Sequence, residues 1–158
     1  MNVARGGNCQ IGDKFRMNNG LKGNPIGRPQ RCVLFVDYGA ILIIGENVGM
    51  SSTAIVSHEK ITIGNNVKIG GGVCIYDTDF HSLDPNLRKN AKLDQKQKNN
   101  KPVTIKDNVF IGAHSTILKG VTIGENAIIG ACSLVTRDIP SNEIWGGNPA
   151  KLIKNLDE

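Results

Sequence analysis

Residues 105–140 read IKDNVF, IGAHST, ILKGVT, IGENAI, IGACSL and VTRDIP when they are divided into groups of six. Every group begins with Ile or Val, and the fifth position is mostly small or β-branched: Val109, Ser115, Val121, Ala127, Ser133 and Ile139. A six-residue period matches neither the 3.6-residue turn of an α-helix nor simple strand alternation. We predict that each group forms a short strand and a turn, and that three groups close one coil of a β-solenoid.

The same period runs earlier in the chain at six aliphatic positions, which are Ile44, Met50, Val56, Ile63, Ile69 and Ile75. The step from Val56 to Ile63 is one residue too long, so we expect a bulge or kinked corner around His58–Lys60. Turns are predicted at the Asn-Asn, Glu-Asn and Asp-Asn pairs, because Asn and Gly tolerate the left-handed backbone that such turns need. Stacked coils would bury a column of aliphatic side chains and pair their strands in parallel.

The composition agrees with a narrow, repetitive interior. The chain has 158 residues, with 19 Gly and only 4% aromatic residues, so its core depends on Ile, Val, Leu and Ala. The four Cys residues form no CxxC pair, and we therefore expect reduced thiols and no metal site.

The sequence also bounds the environment of the protein and its partners. No apolar run follows a basic start and none is long enough to span a bilayer, so we expect no signal peptide and a cytoplasmic protein. The net charge of +5 either attracts an anionic partner or reflects a mixed, solvated surface. Because no basic run carries interleaved aromatic residues, we expect no nucleic acid partner.

Three stretches carry a resemblance to a known family. The repeats IGAHSTILKGVTIG and IGENAIIGACSLV, the segment DTDFHSLDPNLRKN (77–90) and the closing GGNPAKLIK (146–154) resemble the hexapeptide-repeat acyltransferases. Within them the chain is similar to the galactoside, maltose and xenobiotic O-acetyltransferase branch, and in particular to sugar O-acetyltransferases of surface-polysaccharide pathways. The resemblance covers roughly residues 24–155. It implies an all-β, left-handed parallel β-helix, a homotrimer, and acetyl-CoA bound between subunits.

We interpret residues 1–158 as one domain with four parts. The first coils are predicted at about 31–80, an active-site loop at 81–104, the last coils at 105–140 and a C-terminal tail at 141–158. The loop is predicted because the repeat stops after Ile75 and resumes in register at Ile105. Long loops on a rigid scaffold often carry function.

His81 stands where the repeat requires an aliphatic residue, and it is the candidate general base. A neutral imidazole can take the proton from a hydroxyl group as that group attacks a thioester. The family resemblance implies the same role. We expect a carboxylate or carbonyl to hold the other ring nitrogen, and Asp79 and Asp77 are the candidates nearby in sequence.

The remaining site residues come from the resemblance. It implies acetyl-CoA contacts at Ala113, Ala131, Thr136, Arg137, Lys151 and Lys154. The alanines would let backbone groups reach the pantetheine amides, and the cationic side chains would meet the phosphates. Ser51 is predicted to contact the acceptor, and Arg88 is predicted either to hold the loop or to contact the acceptor.

The sequence leaves four alternative functions or mechanisms open. The acceptor could be an amino sugar, which would make the protein an N-acyltransferase, or the chain could be a non-catalytic trimeric scaffold. Cys74 could carry the acetyl group as an acyl-enzyme if a histidine activates its thiol, although direct transfer in a ternary complex is preferred. A zinc enzyme would need His58, His81 and His114 to converge on a metal, and their spacing disfavours this.

Overall fold

The structure is a computed structural model that describes residues 1–24, 26 and 29–156. The chain winds through six coils of short strands. The first coil holds β1 (Asn2–Val3), β2 (Asn8–Ile11) and β3 (Arg16–Asn18), followed by helix α1 (Gly20–Gly23). The second holds β4 (Val33–Val36), β5 (Ile41–Ile44) and β6 (Gly49–Ser51), and the third holds β7 (Ala54–Ser57), β8 (Lys60–Ile63) and β9 (Lys68–Ile69). The fourth holds β10 (Cys74–Tyr76), helices α2 (Pro85–Arg88) and α3 (Ala91–Lys96), β11 (Val103–Ile105) and β12 (Phe110–Ile111). The fifth holds β13 (Thr116–Ile117), β14 (Thr122–Ile123) and β15 (Ile128–Ile129), and the sixth holds β16 (Leu134–Val135), β17 (Glu143–Gly146) and β18 (Lys151–Asn155).

The strands stack into three sheets that form the sides of a prism. The first sheet has the order β1-β4-β7-β10-β13-β16, the second has β14-β11-β8-β5-β2, and the third has β18-β17-β15-β12-β9-β6-β3. All pairs are parallel except β17 with β18. We call the turn from the first sheet to the second the first corner, the next turn the second corner, and the turn from the third sheet back to the first the third corner.

The predicted aliphatic column is present and dry. In the first sheet Ile55, Ile75 and Ile117 stack in register and are fully buried, and Val135 follows Ile117. The fifth positions of the repeat also face inward, as at Val109 and Ala127. Each such side chain contributes about 1.5–3 kcal/mol when it is removed from water. Because no coil can bury its own column alone, stability comes from the stacking of coils.

An asparagine ladder builds the second corner. Asn47, Asn66, Asn108, Asn126 and Asn142 all have positive φ, between 56° and 61°. Their side chains bond in series, Nδ2 of each donating to Oδ1 of the next at 3.0, 3.2, 3.1 and 2.7 Å. The Asn residues predicted at turns therefore serve twice, since they accept the left-handed backbone and link consecutive coils.

Two details of the prediction are wrong, the inward-facing positions of β7 and the residue at which the coils begin. Ile55 and Ser57, not Val56, face the interior of β7, because the extra residues at the His58–Glu59 corner shift the inward positions. The coils also begin at Asn2, well before the predicted boundary near residue 31. The inward residues of this first coil, such as Ile11 and Met17, lie at an end of the prism and stay partly exposed.

The excursion that the sequence predicts between Ile75 and Ile105 leaves the prism at the first corner, and it contains α2 and α3. Two backbone hydrogen bonds close its base, from Lys101 N to Asp77 O at 2.9 Å and from Asp79 N to Asn99 O at 3.1 Å. Within the described residues, no helix has the length and apolarity needed to cross a membrane.

Candidate active site

His81 lies in this loop at the first corner and points away from the aliphatic column. Its Nδ1 is 2.7 Å from Oδ2 of Asp94, a residue of α3. The His81 side chain is 65% exposed, whereas the Asp94 side chain is only 9% exposed. The other carboxylate oxygen, Oδ1, accepts a hydrogen bond from Ser82 N at 2.7 Å. The carboxylate is therefore fixed, and the imidazole that it holds faces solvent.

This arrangement determines which ring nitrogen is basic. The hydrogen bond from His81, and then that from the Ser82 N–H, lower the pKa of Asp94 below its ordinary value, against the burial that would raise it. Asp94 is therefore ionised at neutral pH and accepts only. The proton of a neutral His81 then lies on Nδ1, which donates to Asp94, and the lone pair lies on Nε2. An exposed, basic Nε2 is what a general base requires.

Local sequence signals build the segment that carries Asp94. Asp84 caps α2 by accepting from Asn86 N at 2.8 Å, and Pro85 follows at the first helical position. Asn90 caps α3 by accepting from the backbone N–H groups of Lys92 and Leu93. These caps place the first turn of α3 against the start of the loop, and Asp94 lies in that turn.

The carboxylate that holds His81 is a correction to the predicted site. Asp79 Oδ1 instead pairs with Lys119 Nζ at 3.1 Å, and Asp79 Oδ2 is buried without a hydrogen-bond partner among the described residues. Asp77 is fully buried and accepts from the backbone N–H groups of His58 and Glu59 at 2.7 and 2.9 Å. Asp77 therefore braces the corner below the loop, and Asp79 ties the base of the loop to the next coil.

A second polar cluster lies at the first corner on the N-terminal side of His81. His58 Nδ1 is 2.7 Å from both Asp37 Oδ2 and Lys98 Nζ. Burial acts to raise the pKa of Asp37, but the Tyr38 N–H and the charges of His58 and Lys98 outweigh it and lower that pKa. Since Lys98 belongs to the loop and the other two residues to the coils, the cluster fastens the loop to the prism.

Five of the six predicted acetyl-CoA residues fall into two groups. Ala113 and Ala131 follow β12 and β15 at the third corner, where Cys132 N donates to Ala113 O at 2.8 Å. Lys151 continues this row, because β18 begins beside Gly146. Thr136 and Arg137 instead follow β16 at the first corner, where His81 also lies.

Lys154 lies farther along β18, opposite Ile144. One protomer therefore does not bring all the predicted donor residues together.

The predicted acceptor residues also separate. Arg88 Nη1 donates to Ser82 O at 2.7 Å, which supports the loop-holding alternative for this side chain. Ser51 ends β6 and borders the third corner, where its Oγ accepts from Asn18 Nδ2 at 3.2 Å. Within one protomer Ser51 and His81 therefore lie at different corners.

Cys74, the candidate nucleophile, lies on the first sheet, and His114 lies at the third corner between β12 and β13. Cys74 and His114 line a groove of about 470 Å³, away from the first corner. Burial, together with a hydrogen bond to Cys74, raises the pKa of Tyr76 to about 12. Across the described residues, no group of three His, Cys, Asp or Glu side chains is arranged to hold a metal ion.

Comparisons with known proteins agree with this architecture. Residues 102–137 match the family described as bacterial transferase hexapeptide (six repeats). The galactoside O-acetyltransferase of Escherichia coli is 38% identical over 126 residues, which cover 79% of this chain and 59% of that protein. The crystal structure of a hexapeptide-repeat acetyltransferase from Vibrio cholerae is 30% identical, with a TM-score of 0.73, over 93% of this chain and 73% of that one.

A second structure of the Vibrio cholerae protein is a complex with acetyl coenzyme A. It is 28% identical, with a TM-score of 0.71, over 94% of this chain and 72% of that one. The left-handed parallel β-helix implied by the family resemblance is confirmed by these similarities. The chain spans only 59% to 62% of the length of three curated relatives.

Proposed function

Because the chain belongs to the hexapeptide-repeat acetyltransferases, we propose that it transfers an acetyl group from acetyl-CoA to a hydroxyl group of a sugar or saccharide. The observation that carries this proposal is the pairing of a buried, ionised Asp94 with an exposed His81. The pairing leaves Nε2 as a base on the open side of the loop, where an acceptor hydroxyl could approach.

The reaction needs no acyl-enzyme. His81 Nε2 takes the hydroxyl proton while the acceptor oxygen bonds to the acetyl carbon, and the carbon–sulfur bond then breaks. The proton passes from the imidazolium to the departing thiolate, so free CoA thiol and the acetyl ester are the products. Asp94 stabilises the imidazolium that forms between these two steps. A positioned base of this kind contributes roughly 10²–10⁴ in rate.

The separation of the predicted donor residues supports a shared donor site. Arg137 lies at the first corner with His81, and Ala131 and Lys151 lie at the third. When copies of a three-sided prism pack around an axis, the first corner of one copy can face the third corner of its neighbour. We propose that the protein is a homotrimer and that acetyl-CoA binds in the groove between the first corner of one copy and the third corner of its neighbour. Sedimentation measurements that give a monomer at assay concentration would contradict this assembly.

The test is release of free thiol from acetyl-CoA with a panel of sugars, nucleotide-sugars and lipid-linked saccharides. His81→Ala should lower kcat at least about a hundredfold while the affinity for CoA stays nearly unchanged. A variant with near-normal kcat would refute the base assignment. Amino sugars in the same panel separate O-acetylation from N-acetylation, because an amide product resists mild alkaline hydrolysis and an ester product does not.

A further inference from the structure

Three of the aromatic side chains lie together at or next to the first corner, where His81 also lies. The sequence has four Phe, two Tyr and one Trp. Phe80 makes edge contacts with Tyr76 at 5.1 Å and with His58 at 5.9 Å between ring centroids, and Phe35 lies 5.7 Å from His58. Three of seven aromatic residues, together with an imidazole, therefore form one continuous row on the first sheet and its corner.

Phe80 holds an unfavourable backbone conformation to take part in this row. Its φ is +63°, in the left-handed region that β-carbons disfavour. Three other turns of the first corner use glycine for positive φ, at Gly6, Gly39 and Gly120. A hydrogen bond from Phe80 N to Thr78 Oγ1 at 3.1 Å keeps the turn in place. A bulky side chain at such a position is most readily explained by a functional site.

The ring of Phe80 does not contribute to the aliphatic column. Phe80 is 37% exposed and directly precedes His81. Its contacts are with other rings at the surface of the prism, so part of the ring stays open to solvent beside the proposed base. An aromatic surface next to polar side chains is typical of small-molecule sites.

The position of the row relative to His81 indicates which substrate it meets. The predicted donor residues at this corner, Thr136 and Arg137, follow β16 in the sixth coil, whereas Phe35 and His58 belong to the second and third coils. His81 lies in the fourth coil, between them. The donor side is therefore C-terminal to His81, and the aromatic row is on the opposite side, which is left for the acceptor.

We propose that Phe80, supported by Tyr76 and His58, is a positioning platform for the acceptor, and that it stacks against one face of a pyranose ring. This rests on the proposed function. The axial C–H bonds of a pyranose are weakly positive and suit the negative face of an aromatic ring. Hydroxyl groups at the edge of the same sugar would reach the Asp37–His58–Lys98 cluster on one side and His81 Nε2 on the other.

Steady-state kinetics with acetyl-CoA and methyl glucopyranoside, methyl galactopyranoside or maltose test the platform. Phe80→Leu keeps an apolar side chain of similar bulk and removes the ring. It should raise the KM for the sugar about tenfold while the KM for acetyl-CoA stays within about twofold. Phe80→Tyr, which keeps an aromatic ring, should have the same KM for the sugar as the wild type. Phe110→Leu is the matched control, since Phe110 is 48% exposed on the third sheet, and it should leave both constants unchanged.

A second measurement does not depend on turnover. Saturation-transfer NMR with the same three sugars should show binding to the wild-type protein and to His81→Ala, and a titration should show binding to Phe80→Leu that is about tenfold weaker. Absence of transfer to the wild type, or an effect of Phe80→Leu on acetyl-CoA alone, would overturn the platform. If the wild type binds sugar through Phe80 and yet releases no thiol, the platform stands and the proposed reaction fails.

Discussion

Asp94→Asn should lower kcat far more than the loss of one hydrogen bond would suggest. The two oxygens of Asp94 accept from His81 Nδ1 and Ser82 N, each at 2.7 Å. An asparagine side chain has one acceptor oxygen and one donor NH₂ group, so it cannot accept from both. If its NH₂ faces Ser82 N, two donors meet. If its NH₂ faces His81, Nδ1 must accept and the proton moves to Nε2, which can then no longer act as a base.

The expected size follows from these two cases. Loss of the negative charge alone replaces a charge-assisted hydrogen bond by a neutral one about half as strong, which is worth about four- to twelvefold in kcat. The inverted tautomer would remove the contribution of the base as well, about 10²–10⁴. Because the first orientation brings two donors together, the second is favoured, and we expect kcat to fall at least about a hundredfold with little change in the KM for acetyl-CoA.

The assay is thiol release at saturating acetyl-CoA, with Asp84→Asn as the matched control. Asp84 lies in the same loop and caps α2 without contacting His81, so its variant makes the same loss of charge at a carboxylate that does not hold the imidazole. If Asp94→Asn keeps kcat within about twofold of the wild type while its Tm is unchanged, Asp94 does not act through His81. Equal losses of kcat in Asp94→Asn and Asp84→Asn would also mean that Asp94 does not act through His81.

Three further outcomes are expected. Ile117→Ala should lower Tm by about 5–15 °C, because it opens a cavity costing about 2–5 kcal/mol in the column. Ile128→Ala, on the outer face, should lower Tm much less. Equal Tm shifts of the two variants in calorimetry would mean that the assigned inward register is wrong. Arg137→Ala and Lys151→Ala should each raise the KM for acetyl-CoA, and an effect confined to the acceptor KM would count against the shared donor site. The lowered pKa of Asp94 means that its stabilisation is complete above about pH 4 and is lost as the pH falls through its folded pKa. The Tm difference between wild type and Asp94→Asn should therefore shrink in acid, and a constant difference down to pH 2.5 would exclude this linkage.

The repeat was readable from sequence because its physical cause is local and uniform. Each coil must place an aliphatic side chain at the same three sides, so Ile105, Ile111 and Ile117 recur without a gap. The prediction failed where that cause weakens. At β7 the His58–Glu59 corner changes the spacing, and the inward position moves to Ile55.

His81 could be chosen as the candidate base from the sequence, whereas the carboxylate that holds it could not. His81 interrupts a regular pattern, whereas Asp94 lies in a polar run without period, thirteen residues along the chain. Proximity in sequence favoured Asp79 and Asp77, but both are used to hold the base of the loop. The signals that could have identified Asp94 were the caps Asp84-Pro85 and Asn90, which predict two short helices and hence a chain that returns toward His81.

The division between coils and loop separates stability from chemistry. The column of Ile55, Ile75 and Ile117 is dry and continuous, so a change there acts on the whole prism. The His81–Asp94 pair depends instead on short helices that contribute no apolar residue to this column. Variants of the loop should therefore alter kcat with small effects on Tm, and variants of the column should do the reverse. A solenoid suits such chemistry because every coil presents a corner, and the chain can extend one corner into a loop without disturbing the strands that stack above and below it.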